Sequence, residues 1–283
     1  MKRVVMACSG GLDTRVAVPW LAQSYGAEVV ALTLDLGQGG ALEAVRDGAL
    51  QHGAARAHVL DVREEFARDY VLPALRADAL DDGGLPMPAA LSRPLIARKL
   101  VDIAGMEGAT AIAHARVTDR RAAGSIRVAA RALAPALEII ATPREWRVNE
   151  SPIHASTHGA STAPQDEASD ADANLWGRSL VQAATAPAVW PPAAFFRRTR
   201  APEHCPDEPA LVEIGFDRGV PASLNGVAMG PVELVAALDA IAGGNGIGRL
   251  DTGAREVREA PAAVVLHAAH AALWARLAPG EEV

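Results

Sequence analysis

The sequence predicts an α/β protein whose first part is a five-stranded parallel sheet with helices on both faces. Up to about residue 141, short apolar runs alternate with amphipathic segments, which is typical of buried parallel strands connected by helices. The length of 283 residues, half of them hydrophobic, is enough for one large or two ordinary domains. We expect two, at 1–165 and 166–283, the second being a smaller α+β unit with a C-terminal helix.

Five apolar runs supply the strands of the sheet, and the segments between them predict helices. A proline inside a helix costs about 3 kcal/mol, so we expect a kink or an early break at Pro19 and an irregularity at Pro73. Glycine, proline and aspartate between 81 and 88 predict a loop. The predicted strands are 4–7, 28–34, 57–60, 110–114 and 137–141, and the predicted helices are 15–25, 42–50, 64–79, 92–100 and, after a loop from 116, a segment ending at 133.

The pattern changes after residue 147. From there to about 172 the chain is rich in Ser, Thr, Gly, Pro and acidic residues without helical or strand periodicity, which predicts a linker or mobile loop. Apolar runs at 212–216 and 222–225 flank Asp217-Arg218-Gly219 and predict a hairpin. Helices are expected at 231–242, ended by Gly243-Gly244, and at 261–277.

The turn after the first strand predicts a phosphate-binding loop. Gly10 and Gly11 can adopt left-handed backbone angles and let a ligand approach closely. The amides that follow lie at a helix N-terminus, where the peptide dipoles favour an anion. Ser9 and Thr14 add hydroxyl donors, and Asp13 could orient the turn or approach a phosphate-bound metal. The turn lacks both the Gly-Lys-Ser/Thr of a Walker loop and the three spaced glycines of a dinucleotide fold.

Composition excludes some classes of partner. The formal charge of −7 argues against a nucleic-acid footprint over the whole surface. Two cysteines give no disulfide framework and are typical of a reducing, cytoplasmic compartment. The most apolar stretch, 260–273, is interrupted by His267 and His270, so we expect a buried helix and no membrane partner. These two histidines could bind a metal, but packing or capping is the favoured interpretation.

Once the glycine turn is joined to the motifs that follow it, the chain resembles the argininosuccinate synthase family over nearly its whole length. The turn, Ser-Gly-Gly-Leu-Asp-Thr at 9–14, is similar to that of the ATP pyrophosphatases. Matching family motifs lie, in order, at 9–14, 37–38, 92–97, 132–135, 144–146, 174–179, 224–226, 246–251 and 259–262.

The resemblance implies an adenine-nucleotide-hydrolase-like domain followed by a synthetase-type domain. It also implies ATP and Mg²⁺ as cofactors, AMP transfer to the ureido oxygen of citrulline, and displacement of AMP by aspartate. Asp13 is expected to act in catalysis. The positions expected to bind the nucleotide are Ala7, Cys8, Ser9, Gly10, Gly11, Asp13, Thr14, Leu34, Gln38, His114 and Ala115, and those expected to bind the acceptor are Arg93, Arg120, Arg121 and Ser179.

The chain departs from the family where the family binds its amino-acid substrates. After His114, Val117, Arg121, Ala122 and Ser125 replace a Thr, Asn, Asp and Arg. Further replacements of substrate-binding side chains are Leu85, Ala90, Asp170 and Arg258, and the arm that builds the family tetramer is expected to be missing.

These departures lead to the hypothesis of an adenylating ligase whose acceptor is not citrulline. A site built to hydrogen-bond its substrate loses it when the partners are removed. Five arginines between 116 and 131 would suit a carboxylate-bearing small molecule or a carrier protein, although they could equally form a solvated helix face. Two alternatives stay open: a catalytically silent nucleotide-binding regulator or complex subunit, and a genuine argininosuccinate synthase. The apolar C-terminal helix leaves a homodimer open.

Overall fold

The computed structural model describes residues 2–9, 12–114, 120–141, 169–182, 190–191, 196–253 and 256–277. At 12–15, 120–125, 169–171 and 180–182 it describes the backbone alone. Contacts between Cα atoms group the chain into two compact units. One comprises 1–35, 39–61 and 93–167, and the other comprises 36–38, 62–92 and 168–283. The predicted domain boundary at residue 165 stays a prediction.

The first unit contains the predicted five-stranded parallel sheet, in the order β3-β2-β1-β4-β5. Val4 in the central strand pairs with Val29 on one side and Ala111 on the other, so β1 is hydrogen-bonded along both edges. All the predicted strands are confirmed to within a few residues. They are β1 (Lys2–Ala7), β2 (Ala27–Asp35), β3 (Arg56–Asp61), β4 (Ala111–His114) and β5 (Glu138–Ala141).

Helices α1 (Leu12–Tyr25), α2 (Leu42–Gln51) and α6 (Arg120–Leu133) connect these strands. Val18 and Leu21 of α1 are fully buried in the same hydrophobic cluster as Val4 of β1. The predicted early break at Pro19 is wrong, because α1 continues through the proline to Tyr25. Burial of a Val or Leu side chain contributes roughly 1.5–3 kcal/mol, which is enough to offset the proline.

Helix α5 (Pro88–Glu107) ends in a buried carboxylate that closes the amino edge of the sheet. Glu107 accepts hydrogen bonds from Nη1 of Arg56 at 3.0 Å and Nε2 of His58 at 2.8 Å, and its backbone carbonyl accepts from Arg3. Arg3 is bound in turn by Glu28 at 2.8 Å. The hydrogen bond from His58 and the charge of Arg56 lower the pKa of Glu107. Hydrogen bonds and ion pairs between charged side chains at this edge therefore connect β1, β2 and β3 to α5.

In the second unit, the predicted helix at 64–79 is divided. It consists of α3 (Arg63–Phe66), a π-helical turn (Ala67–Val71) and α4 (Leu72–Arg76). Pro73 has no amide hydrogen and its ring crowds the preceding turn, which accounts for the wider turn before it. The predicted irregularity is confirmed.

Two antiparallel sheets follow in the second unit. One has the order β11-β12-β7-β6 and the other β10-β9-β8. The predicted hairpin is confirmed as β8 and β9, with Arg218 and Gly219 at positive φ in the turn. The strands are β6 (Ser169–Asn174), β7 (Gly177–Gln182), β8 (Ile214–Asp217), β9 (Val220–Leu224), β10 (Val227–Ala228), β11 (Arg249–Asp251) and β12 (Glu256–Glu259).

The C-terminal part of the predicted linker is wrong, because residues 169–172 belong to β6. Its sequence, Ser-Asp-Ala-Asp-Ala-Asn, has poor strand propensity. Pairing with β7 through a two-residue turn supplies the backbone partners that the side chains do not predict. The remainder of that predicted linker, 147–168, lies outside the described residues.

Helices α7 (Pro231–Gly244) and α8 (Pro261–Leu277) complete this unit. The predicted end of this helix is confirmed to within two residues, because Gly243 and Gly244 are the last two residues of α7. A Cβ at Gly243 would lie 1.9 Å from the carbonyl oxygen of Arg198, so a glycine is needed there for close approach of the backbone. Within the described residues, no helix is both long enough and apolar enough to cross a membrane.

His267 and His270 on α8 serve packing and local hydrogen bonding. Nδ1 of His267 lies 2.8 Å from Oδ1 of Asp78, which follows α4. His270 is 1% exposed, and its Nε2 accepts a hydrogen bond from the indole of Trp274 at 3.0 Å. Burial lowers the pKa of His270.

Replacing Glu107 by Gln should lower the free energy of unfolding by about 1.5–3 kcal/mol, the usual value of hydrogen bonds to charged groups. The matched control is Glu138→Gln at the same edge, where an exposed pair with Lys2 contributes less than about 1 kcal/mol. Urea unfolding of the two variants measures both. Equal effects would contradict a structural role for the Glu107 cluster.

Acid should destabilise the second unit through His270. Its folded pKa lies below the unfolded value near 6.5, so the unfolded chain binds the proton more readily. The contribution of His270 is therefore fully present above pH 6.5 and is lost as the pH falls from there through the folded pKa. His270→Gln keeps an acceptor for Trp274 but does not titrate, and urea midpoints measured at several pH values should fall less steeply for this variant below pH 6.5. Identical pH dependence in the two proteins would contradict the assignment.

Candidate functional site

The candidate nucleotide site lies at the carboxyl edge of the parallel sheet, where the strand order reverses. The chain passes from β1 to β2 on one side and reaches β4 on the other, so the switch point falls between β1 and β4. Ligands of open α/β sheets bind at this position. Met6 pairs with Ala113, which brings the ends of both strands, and with them Ala7 and His114, to the same level. The register of these strands therefore brings the end of β1, which precedes the predicted turn, to the level of His114.

Cys8 and Ser9, the two residues that follow β1, have different environments. The amide of Cys8 donates to the carbonyl of Leu32 at 2.8 Å, which extends the β1–β2 ladder by one residue. The thiol of Cys8 is buried and lies 3.6 Å from the carbonyl of Met6, so it is a packing group beneath the turn. Ser9 is exposed. Ser9 is thus the first residue after β1 whose polar side chain can face a ligand.

Helix α1 begins three residues later, at Leu12. The first amides of an α-helix have no partner within the helix and carry its positive dipole end, so the backbone of Leu12, Asp13 and Thr14 suits an anion. The side chains of Asp13 and Thr14, together with Gly10 and Gly11, lie outside the described part of the chain. Their predicted contacts stay predictions.

Apolar groups surround this edge. Leu34 is 8% exposed near the end of β2, and His114 is 2% exposed at the end of β4. Leu34 and His114 lie near the ends of strands on opposite sides of β1, and aliphatic and aromatic side chains are the kind that pack against a purine base. Ala115, which follows His114, lies outside the described residues.

The predicted acceptor residues of the first unit are only partly described. Arg93 is half-buried on α5 and engages in further polar contacts. Arg120 and Arg121 open α6, with only their backbone described. The structure therefore places these arginines on two helices without testing their predicted contacts.

Gln38 has a structural role in the second unit. Its Oε1 accepts a hydrogen bond from the amide of Leu36 at 2.7 Å, which closes the turn. Gly37 has a φ of +85°, and a Cβ there would lie 3.0 Å from Cβ of Leu175 and 3.1 Å from its Cα. The amide of Leu175 donates to the carbonyl of Leu36 at 2.6 Å. The Gly-Gln pair is thus fixed by backbone packing.

Ser179 is the most distinctive polar group of the second unit. It is 3% exposed on β7, and its hydroxyl oxygen is buried and forms no hydrogen bond with any described residue. A buried polar atom without a partner costs about 1–3 kcal/mol, and native proteins keep such atoms where a ligand or water completes them. The predicted acceptor-binding role of Ser179 stays a prediction.

Arg258 lies directly opposite Ser179 in the β7–β12 ladder, on the same face of the sheet. Its Nη1 donates to Oδ2 of Asp81 at 2.6 Å and to the carbonyl of Pro86 at 2.9 Å, and its Nε donates to Oε1 of Glu256 at 3.0 Å. Sequence reasoning noted Arg258 but missed both carboxylates. Glu256 could have been found, because residues two apart in a strand share a face, whereas Asp81 is distant in the chain.

Glu259 is the polar centre of the second unit. It is 0% exposed, and its carboxylate accepts from the amides of Arg197, Arg198 and Thr199 at 3.0–3.1 Å and from the hydroxyl of Thr199 at 2.9 Å. Nη1 of Arg178 lies 3.4 Å away. Asp239 anchors the same region, accepting from Arg198 at 2.8 Å, and burial raises its pKa.

Two family models match the chain in sequence order. Residues 3–157 match the one described as Arginosuccinate synthase N-terminal HUP domain, and residues 170–278 match the Arginosuccinate synthase C-terminal domain. The HUP match agrees with the parallel sheet and its switch point.

Curated proteins resemble the chain over almost its full length. A protein of Rubrobacter xylanophilus named argininosuccinate synthase is 46% identical over 281 residues, which is 95% of this chain and 68% of that protein. Proteins of the same name from Bacillus cereus and a Geobacillus species are each 44% identical over 95% of this chain and cover 70% and 69% of those proteins.

Two buried hydroxyls of the second unit should respond differently to removal. Thr199→Val breaks a hydrogen bond to the buried carboxylate of Glu259 and should lower the free energy of unfolding by about 1–3 kcal/mol. Ser179→Ala removes a buried hydroxyl that forms no hydrogen bond with any described residue, so it should leave the free energy of unfolding unchanged or raise it by up to about 1–3 kcal/mol. Chemical unfolding without ligands measures the free energy of unfolding of both variants. A large decrease for Ser179→Ala would show that its hydroxyl stabilises the fold.

Proposed function

Because the chain belongs to the argininosuccinate synthase family, we propose that it is an ATP-dependent ligase that joins citrulline to aspartate and releases AMP and pyrophosphate. The observation that carries this proposal is the 43–46% identity to curated argininosuccinate synthases across 95% of the chain. Membership of the family indicates an ATP-dependent ligase that forms a C–N bond. The proposal adds that its acceptor is citrulline.

The comparisons do not support the prediction of a non-citrulline acceptor in specialised metabolism. They favour what the sequence analysis kept as an alternative, a genuine argininosuccinate synthase. Four of the eight replaced side chains on which the prediction rested fall at 117–125, where the structure describes at most the backbone.

The described residues of the first unit fit a nucleoside triphosphate. The exposed hydroxyl of Ser9 and the first amides of α1, which have no partner within the helix, can bind phosphate oxygens, and the aliphatic edge with His114 can hold the base. The Cys8 amide is excluded from this role, because it is bound to Leu32. The family resemblance also implies Mg²⁺, which stays part of the proposal. Asp13 is the acidic residue of the predicted phosphate-binding turn and would approach this ion.

The proposed chemistry begins when the ureido oxygen of citrulline attacks the α-phosphorus of ATP and the bond to the β-phosphate oxygen breaks. The amino nitrogen of aspartate then attacks the activated carbon, loses a proton, and expels AMP. Preorganised donors at the phosphates stabilise the charge that develops on pyrophosphate. Ser179, whose buried hydroxyl forms no hydrogen bond with any described residue, is suited to a polar end of the acceptor.

A different acceptor remains a second candidate, favoured by the ion pairs of Arg258. This guanidinium is engaged by Asp81 and Glu256 beside Ser179, where the family is expected to have a tyrosine. Such a change alters the charge and shape of the acceptor region.

Purified protein incubated with ATP, Mg²⁺, citrulline and aspartate should form argininosuccinate and AMP in equal amounts, as measured by mass spectrometry. AMP formed only with another amino or carboxylic acid would favour the second candidate. ATP binding without AMP formation across a panel of acceptors would contradict both proposals and favour a nucleotide-binding regulator.

Ser9→Ala should lower kcat/KM for ATP by about tenfold or more, since a hydrogen bond to a charged group contributes roughly 1.5–3 kcal/mol. Ser24→Ala, also at an exposed serine but at the far end of α1, is the matched control and should behave as the parent protein. Pyrophosphate release measured against ATP concentration gives both values. Equal kinetics for the two variants would place the triphosphate elsewhere.

A further inference from the structure

The 81–86 loop of the second unit is folded by the carboxylate of Asp81. Oδ1 of Asp81 accepts hydrogen bonds from the amides of Gly83 at 3.0 Å and Leu85 at 2.9 Å. The backbone of Asp81 closes the same turn, because its amide donates to the carbonyl of Leu85 at 2.9 Å and its carbonyl accepts from the amide of Gly84 at 2.8 Å. One residue therefore gives this short segment a fixed shape.

The same carboxylate anchors the loop to β12 through Arg258. Nη1 of Arg258 donates to Oδ2 of Asp81 at 2.6 Å and to the carbonyl of Pro86 at 2.9 Å, so it holds the first and the last residue of the loop. Among the described residues, these are the only hydrogen bonds that connect 81–86 to another part of the chain. Burial would raise the pKa of Asp81, but hydrogen bonds from Leu85 and Arg258 lower it overall, so the ion pair is present at neutral pH.

The guanidinium of Arg258 has little bonding capacity left for a ligand. Its Nε donates to Oε1 of Glu256 at 3.0 Å and its Nη2 to Oε2 at 3.3 Å, in addition to the two bonds of Nη1. Four of its five N–H groups are therefore committed to the protein. One guanidinium between the carboxylates of Asp81 and Glu256 leaves an excess of negative charge, which does not attract a carboxylate ligand.

The anchored loop lies on the face of the sheet that carries Ser179. Arg258 and Ser179 are directly opposite each other in the β7–β12 ladder, so their Cβ atoms are about 4.5–5.5 Å apart and project to the same side. The hydroxyl of Ser179 is buried and forms no hydrogen bond with any described residue. An acceptor bound at this hydroxyl therefore lies next to Arg258 and the loop that Arg258 anchors.

We propose that Arg258 is a positioning residue of the acceptor site, because it fixes the 81–86 loop beside the hydroxyl of Ser179 as a wall against which the acceptor is aligned. The inference rests on the proposed function, in which Ser179 binds the acceptor. Since its N–H groups are engaged by the protein, Arg258 acts through the loop and not as a ligand. None of the predicted nucleotide-binding residues belongs to this cluster, so ATP binding should not depend on it.

Arg258→Met keeps an apolar stem but removes the bonds to the loop and to Glu256. It should raise KM for citrulline by about tenfold or more and change KM for ATP by less than about twofold. Arg258→Lys can keep one ion pair and should lie between Arg258→Met and the parent protein. Arg218→Met, at an exposed ion pair in the β8–β9 hairpin, is the matched control and should behave as the parent protein. Pyrophosphate release measured against each substrate gives these values.

Asp81→Asn breaks the anchor from the side of the loop. Its Oδ1 can still accept from Gly83 and Leu85, so the turn keeps its shape while the ion pair with Arg258 is lost. This variant should show a rise in KM for citrulline like that of Arg258→Met, and it keeps the test valid if Arg258→Met does not fold. The double variant should add little to either single change, because both remove one interaction.

Hydrogen–deuterium exchange of the same variants tests the anchoring without any substrate. In Arg258→Met, the amides of Gly83 and Leu85 should exchange about tenfold faster or more, because the loop opens more often once it is released from β12. The amides of the β8–β9 hairpin should exchange at the parental rate.

Parental exchange of the loop in Arg258→Met would overturn the inference, and so would faster exchange with an unchanged KM for citrulline. An equal rise in KM for both substrates would make Arg258 a residue that only stabilises the fold, and would overturn it as well. A parent protein that forms no argininosuccinate, while the exchange difference is present, would instead contradict the proposed function. The same comparison of KM values would then be made with the acceptor that yields AMP.

Discussion

The second unit depends on one fully buried charge, the carboxylate of Glu259. Burying an ionised group is costly unless hydrogen bonds replace the lost water, and here backbone amides, a hydroxyl and the guanidinium of Arg178 do so. Through these bonds β12 fixes the segment Arg197–Thr199, and Arg198 in turn binds Asp239 of α7 and the carbonyl of Asn174. One side chain thus connects a sheet, a loop and a helix.

Several residues that carry the family resemblance hold this framework together. Asn174 bonds the carbonyl of Pro88 and the amide of Trp176. A Cβ at Gly177 would lie 2.7 Å from the carbonyl oxygen of Glu259, and one at Gly248 would lie 2.6 Å from Cα of Pro261. These positions require their residue types for packing. The likeness therefore predicts the fold more strongly than it predicts the acceptor, which depends on a few side chains that the framework does not constrain.

The first unit was largely predictable because the secondary structure that its sequence favours locally agrees with the sheet topology that it adopts. Continuous apolar runs such as 29–34 are typical of buried parallel strands, and the glycines after β1 predict a turn into the following helix. Parallel topology then brings the ends of β1 and β4 together without knowledge of any contact. Ser9 and His114 could be placed at one edge for this reason.

The second unit was less predictable because tertiary pairing decides its structure. The polar strand β6 forms only because β7 lies beside it, and the short strands β11 and β12 carry too few apolar residues to be recognised. Gly243 marks the end of α7, as its sequence predicts, but its close approach to the carbonyl oxygen of Arg198 left no signal in the sequence. The ion pair of Arg258 with Asp81 joins distant parts of the chain and leaves no local pattern in the sequence.

The central position of β1 has a consequence for biosynthesis. Its first neighbour, β2, follows within thirty-five residues, whereas its second, β4, begins only at Ala111. While the chain is being made, one side of β1 therefore remains an unpaired, apolar strand edge until more than a hundred residues have been translated. Such edges pair readily with other chains, so the nascent protein should require chaperone protection during this interval. The high sequence separation of the β1–β4 contact also makes its closure a slow step of refolding.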